Sequence, residues 1–240
     1  VSLDPVRDLS LVRVSADLLV HDVQLLDDAA LAGASLLPGW TRAHVVGHLI
    51  GNADGLTRLL DGARTGRATT MYDDAQQRAA GVDAAIGRSA QSLAADLRAG
   101  VDRFVAMADG VSAEQWQTRV RLGPGGQGRE ITAAEVPWRR LVEQEMHNVD
   151  LAGAYTPAHW SDEFVHRLLD ETAQRYLTRD EVPALDLASV DGEWAASTGR
   201  PGATHVEGPA PALLAWLTGR SGGEGLHVEP GPLPPLPPWL

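Results

Sequence analysis

Glu143-Gln144-Glu145-Met146-His147-Asn148-Val149-Asp150 is the stretch from which the fold of this chain can be read. Glu143 and His147 stand four apart, so in a helix they project from one face a turn apart. At ~100° per residue, Trp138, Val142 and Val149 fall on one side of that helix, and Arg140, Glu143, His147 and Asp150 fall on the other. Two readings of the polar side stand at this point. A charged stripe on a single helix is ordinarily a solvated face, whereas a carboxylate and an imidazole one turn apart are half of a metal site. Glu145 lies nearer the apolar side and is a poorer ligand than Glu143.

Working outward, Thr132 with Glu135 resembles a capping box for this helix, which continues to about Ala154. Upstream, residues 117–132 read as short strands flanking Gly123-Pro124-Gly125-Gly126-Gln127-Gly128. A phosphate-cradling loop needs a lysine and a helix directly after it, and neither follows, so a surface hairpin is expected. Residues 4–31 form an amphipathic helix, and Thr41 caps a second helix running to about Gly62. That helix carries His44 and His48, with glycines at 47, 51 and 55 lining a stripe where a neighbour can approach closely. After a loop holding Met71 and Tyr72, a third long helix is expected over 73–109, with breaks near Gly81 or Gly87.

Beyond Tyr155-Thr156-Pro157 the pattern changes. Ser161 caps a helix to about Leu177, strands are expected over 185–190, 194–197, 203–207 and 226–229, and Pro209 opens a short helix ending at Gly219-Arg220. The tail 230–240 is too proline-rich for regular structure and is expected to lie extended, anchored by Trp239. The expected architecture is a two-domain α+β chain: a four-helix bundle over 1–157, then a small α+β domain over 158–240.

Composition narrows the chemistry. The 240 residues carry 20 basic and 32 acidic side chains, a formal charge of -12, which disfavours a nucleic-acid partner. No stretch is long and apolar enough for a membrane span, and a cytoplasmic monomer is expected. There is no cysteine, so any thiol chemistry must use a thiol from outside. There is no lysine either, which removes Schiff-base chemistry. His44 and His48 on a helix adjacent to Glu143 and His147 give the spacing of a site built from facing helices. Three His/His/Glu ligands leave a fourth position open on zinc, as catalytic sites do.

Trp40-Thr41-Arg42-Ala43-His44-Val45-Val46-Gly47-His48-Leu49 and Glu143-x-x-x-His147-x-x-Asp150-Leu151 resemble the metal-binding motifs of the mycothiol-dependent maleylpyruvate isomerases, within the DinB/YfiT-like group of four-helix proteins. Leu213-Leu214-Ala215-Trp216-Leu217-Thr218-Gly219-Arg220 is similar to that family's C-terminal signature, and Met71-Tyr72 followed by Arg78 is similar to a further family stretch. The resemblance spans nearly the whole chain. It implies a zinc ion held by His48, Glu143 and His147 with His44 outside the ligand set, mycothiol as the thiol cofactor, and Arg78 and Arg220 near a small dicarboxylate substrate. Asp150 is either a partner orienting an imidazole or the maker of a surface hydrogen bond.

The implied reaction turns a cis alkene trans, from maleylpyruvate to fumarylpyruvate. A thiolate adds to the alkene, the resulting single bond rotates, and elimination returns the thiol. A free thiol titrates near pH ~8.5, so zinc is expected to hold it ionised. Arginine forks suit the substrate's carboxylates. Arg220 is expected to reach the zinc from the second domain; its other reading is a cation completing its own helix C-terminus. The rival activities are a mycothiol S-transferase acting on another electrophile and a non-catalytic DinB-like zinc or stress-response protein.

Overall fold

The structure, a computed structural model, describes residues 3–239. Helix α1 spans Pro5–Gln24, with the Asp4 side chain accepting from the Arg7 amide and Pro5 in the first turn, where its missing N–H costs nothing. It stops short of the expected residue 31. Asp27, in extended conformation, accepts from the Ala30 amide and restarts the chain as a one-turn helix, α2 (Asp28–Ala32). An aspartate carboxylate offered to the backbone in this way competes with continued helix.

Helix α3 (Arg42–Thr65) begins where Thr41 caps it and ends at Gly66, whose φ of 69° is the left-handed conformation of a helix C-terminus. The expected third helix is two: α4 (Ala75–Asp83) and α5 (Ala90–Asp109), separated at Gly87 and recapped by Ser89. A hairpin of β1 (Arg119–Arg121) and β2 (Glu130–Thr132) pairs Val120 with Ile131. The Thr132/Glu135 capping box then leads through a 3-10 turn into α6 (Val136–Asp150). The four long helices α1, α3, α5 and α6 pack in a ring, in which α3 contacts α5 and α6, and α1 contacts the same two. Core side chains such as Leu19, Leu49, Leu56, Leu93 and Phe104 are wholly buried between them.

The chain divides after Tyr155 into two compact units. In the second, α7 (Asp162–Arg175) is capped by Ser161. A four-stranded sheet follows in the order β4-β3-β5-β6, made of β3 (Leu185–Ser189), β4 (Ala195–Ser197), β5 (Thr204–Gly208) and β6 (His227–Glu229). Strands β3 and β5 run parallel, and both outer pairings are antiparallel. Helix α8 (Ala210–Leu217) follows β5 and packs on α7. The tail is held by Tyr176, whose hydroxyl donates to the Pro237 carbonyl at 2.6 Å, and by the Arg220 guanidinium 5.8 Å over the Trp239 ring. No helix among the described residues is long and apolar enough to cross a membrane.

Candidate functional site

The polar side of α6 faces the bundle interior. Arg140 and Asp150 are buried, the His147 side chain is 14% exposed and that of Glu143 31%. The solvated reading of the stripe is therefore set aside, because α3 packs directly across it. His48 on α3 meets the stripe, with its Nε2 2.8 Å from Glu143 Oε2, which in turn lies 3.3 Å from His147 Nε2. The two imidazoles cross nearly at right angles, 4.7 Å between ring centres. One donor atom from each of His48, Glu143 and His147 lies within 4.8 Å of the others. Two imidazoles and a carboxylate converging from two helices are a donor set that suits a divalent ion such as zinc.

The surroundings tune these groups. On His147, burial opposes protonation, but hydrogen bonds with Asp150 and Glu143 outweigh it and hold the imidazole above its ordinary range. On His48, burial wins over the attraction of Glu143 and lowers the pKa. Burial also works against the Glu143 carboxylate, yet the two histidines hold it well below the usual range, so it is ionised at neutral pH. His147 Nδ1 lies 2.8 Å from Oδ2 of Asp150, which is 1% exposed. That contact turns Nε2 towards the cluster, as carboxylates behind metal-bound histidines do.

His44 is differently employed. Its Nδ1 accepts the Thr41 amide at 3.0 Å, completing the capping box at the start of α3, and its ring stacks on Trp40. It lies outside the converging group. Glu145 also turns away, accepting a hydrogen bond from the Tyr155 hydroxyl.

Beside His48 is a pocket of about 150 Å³, lined by Gly51, Arg58, Tyr72, Gln77 and Arg78 among others. The glycine stripe of α3 makes room for it. A Cβ on Gly47 would stand 2.6 Å from the Ala85 Cβ, and one on Gly55 3.1 Å from the Met71 carbonyl oxygen, so the 71–85 segment lies directly against the helix. Arg78, on α4, places Nη2 3.4 Å from His48 Nδ1. Beneath lies the fully buried Arg140, whose Nη1 donates at 2.9 Å to both the Leu49 carbonyl and Asn52 Oδ1. Burial lowers its guanidinium to about 10, still cationic at neutral pH.

Sequence reasoning did not single out Arg58 or Tyr72 as site residues. Arg58 lies ten residues beyond His48 on α3, and only the return of the 67–73 segment along that helix brings Tyr72 to it. Arg220 belongs to the second unit. There the Gly219 (φ 75°) and Arg220 amides close α8 by donating hydrogen bonds to Trp216 O at 3.0 Å and Ala215 O at 2.7 Å, and Arg220 Nη1 donates to Thr218 O at 2.8 Å.

The fold and site define a helical-bundle protein whose two-histidine, one-glutamate cluster could hold a metal ion beside an arginine-lined pocket. Residues 12–152 match the family model described as the mycothiol maleylpyruvate isomerase N-terminal domain, and the chain belongs to that family. A crystal structure of the mycothiol-dependent maleylpyruvate isomerase is 26% identical, with 99% of this chain and 98% of that one covered, at a TM-score of 0.91. A histidine-to-alanine mutant of that isomerase is similar at 0.90 with the same identity and coverage. Comparison with curated protein sequences finds no match.

Proposed function

We propose that this chain is a mycothiol-dependent maleylpyruvate isomerase, with His48, Glu143 and His147 holding a zinc ion. The observation that carries the reading is the convergence of those three donors, within 4.8 Å, in a member of this family. A chain without cysteine must borrow its sulfur. Zinc bound there supplies the positive charge that keeps a thiol ionised at neutral pH.

The protein's own residues do the rest. Asp150 holds His147 in one orientation, and the Trp40 ring packs tilted against His48, 5.8 Å between ring centres. Arg78 offers a half-buried planar cation beside the cluster in a protein that is otherwise strongly acidic. We assign Arg78 and Arg220 to the carboxylates of the substrate, since the guanidinium fork matches a carboxylate edge. A reducing compartment suits a free thiol as cofactor, and the cytoplasm is our assignment.

The test combines metal analysis with an assay. Purified protein is expected to hold about one zinc per chain, and to isomerise maleylpyruvate only when mycothiol is supplied, returning it unconsumed. Stoichiometric loss of mycothiol would assign the chain to thiol transfer instead. Equal zinc in wild type, His48→Ala and His147→Ala would remove the site. Arg220→Ala is expected to keep zinc and lose turnover, and unchanged kinetics would withdraw its role.

A further inference from the structure

The pocket beside His48 contains a phenol that nothing so far employs. Tyr72 is 7% exposed and lines the pocket with His48 and Arg78, and its hydroxyl makes no hydrogen bond to the described residues. That hydroxyl lies 3.8 Å from where a Cβ on Gly51 would stand, on the same pocket wall. The ring is buried but the hydroxyl oxygen opens onto the pocket, where a ligand atom can accept its hydrogen.

The glycine-rich hairpin loop supplies a second, independent observation, because it is built around this residue. The Gly125 amide donates to the Tyr72 carbonyl at 2.9 Å, and Tyr72 bridges to Pro124. A Cβ on Gly125, whose φ is 58°, would stand 3.4 Å from the Asp73 carbonyl oxygen, and one on Gly126 3.5 Å from Thr70 Cγ2. The loop therefore lies along residues 70–73 at van der Waals distance, and the positive φ of Gly125 and Gly126 is what favours glycine there. From the α3 side, the Arg58 guanidinium donates to the Met71 carbonyl. Tyr72 is held from both directions while its hydroxyl is left open.

We propose that Tyr72 is a catalytic residue of this chain, donating its phenolic hydrogen bond to the ketone oxygen of the substrate as that oxygen gains charge, with Arg78 beside it. The proposal rests on the isomerase reading above. In that reaction the thiolate pair forms a carbon–sulfur bond at the alkene, and the π pair shifts to leave an enolate with its charge on the ketone oxygen. After rotation the enolate pair returns, the carbon–sulfur bond breaks and the thiolate leaves unchanged. No proton moves in either step, so what the reaction needs from Tyr72 is a fixed donor that binds the enolate oxygen more strongly than the ketone. A neutral phenol on the wall of a small pocket meets that need. Burial and the Glu143 charge push its pKa up to about 12, keeping the hydrogen in place at working pH.

The test is Tyr72→Phe, which removes one oxygen and keeps the ring against α3. Turnover of maleylpyruvate with mycothiol is expected to fall roughly 100-fold in kcat, the scale of losing one donor to a developing oxyanion. KM should stay within about threefold and metal content should match wild type, since the lost contact forms mainly in the transition state. A kcat within about twofold of wild type overturns the proposal and leaves the isomerase reading standing. Loss of metal together with activity also overturns it, because Tyr72 would then be supporting the cluster. Wild type inert towards maleylpyruvate overturns the isomerase reading, and this proposal with it.

Discussion

Two alanine substitutions on one helix stripe should move stability in opposite directions. Gly47 and Gly51 both lie inside α3, where alanine is better than glycine by about 1 kcal/mol through backbone entropy alone. At Gly51 the added methyl would meet only the Tyr72 side chain, its Cε1 and its hydroxyl oxygen both at 3.8 Å, which is ordinary contact. At Gly47 it would stand 2.6 Å from the Ala85 Cβ and 2.8 Å from the Val82 carbonyl oxygen. Neither atom is the tip of a flexible side chain, so α4 and the turn after it must shift away from α3. Overpacking of this kind costs about 1–3 kcal/mol, occasionally more. Set against the propensity gain, Gly47→Ala should be destabilised by up to roughly 2 kcal/mol, whereas Gly51→Ala should gain up to about 1 kcal/mol. For a chain of this size, thermal midpoints should fall by up to ~8 °C and rise by up to ~4 °C respectively, read by circular dichroism. A rise for Gly47→Ala would show that the α3–α4 contact is loose, and the close-approach account of the stripe would fail. Activity should separate from stability, because the Gly51 methyl enters the pocket and raises KM while the protein becomes more stable.

Further outcomes follow from the same geometry. His44→Ala should retain metal that His48→Ala loses, and its stability cost should be about 1 kcal/mol, that of a helix cap, measured by metal analysis and denaturant titration. Asp150→Asn should weaken zinc binding by about 10–100-fold in competition with a chelator, as happens when the group behind a metal-bound histidine is altered; unchanged affinity would make Asp150 purely structural. Burial raises Glu145 above its ordinary range, so the folded chain holds that proton more tightly than the unfolded chain. Stability should therefore decline as pH rises from the ordinary carboxyl value through the raised one. Glu145→Gln should unfold at a higher temperature than wild type at pH 7, and the two should converge in acid.

How much of this was legible beforehand can be judged residue by residue. Thr41, Ser161 and the Thr132/Glu135 pair announced their helix starts, because capping is a local contest for a few amide hydrogens. The expected 4–31 helix is too long because Asp27, one polar residue among several in the sequence, acts as a cap and restarts the chain. His48, Glu143 and His147 could be picked out by spacing and by family resemblance. The choice between His48 and His44 became physical only when His44 was found bonded to the Thr41 amide.

Local sequence decided where the helices begin and end, because caps, glycines and apolar periodicity act within a few residues. It also decided what chemistry was open to the chain: no cysteine and no lysine leave histidine, carboxylate and arginine as the available groups. Only the tertiary structure decided that the polar side of α6 is an interior surface. A projected wheel gives the direction of a side chain and not what lies across from it, and here α3 lies across from it. The same holds for Tyr72 and the glycine loop, about fifty residues apart in sequence: backbone hydrogen bonds between distant segments leave no periodic mark on either one.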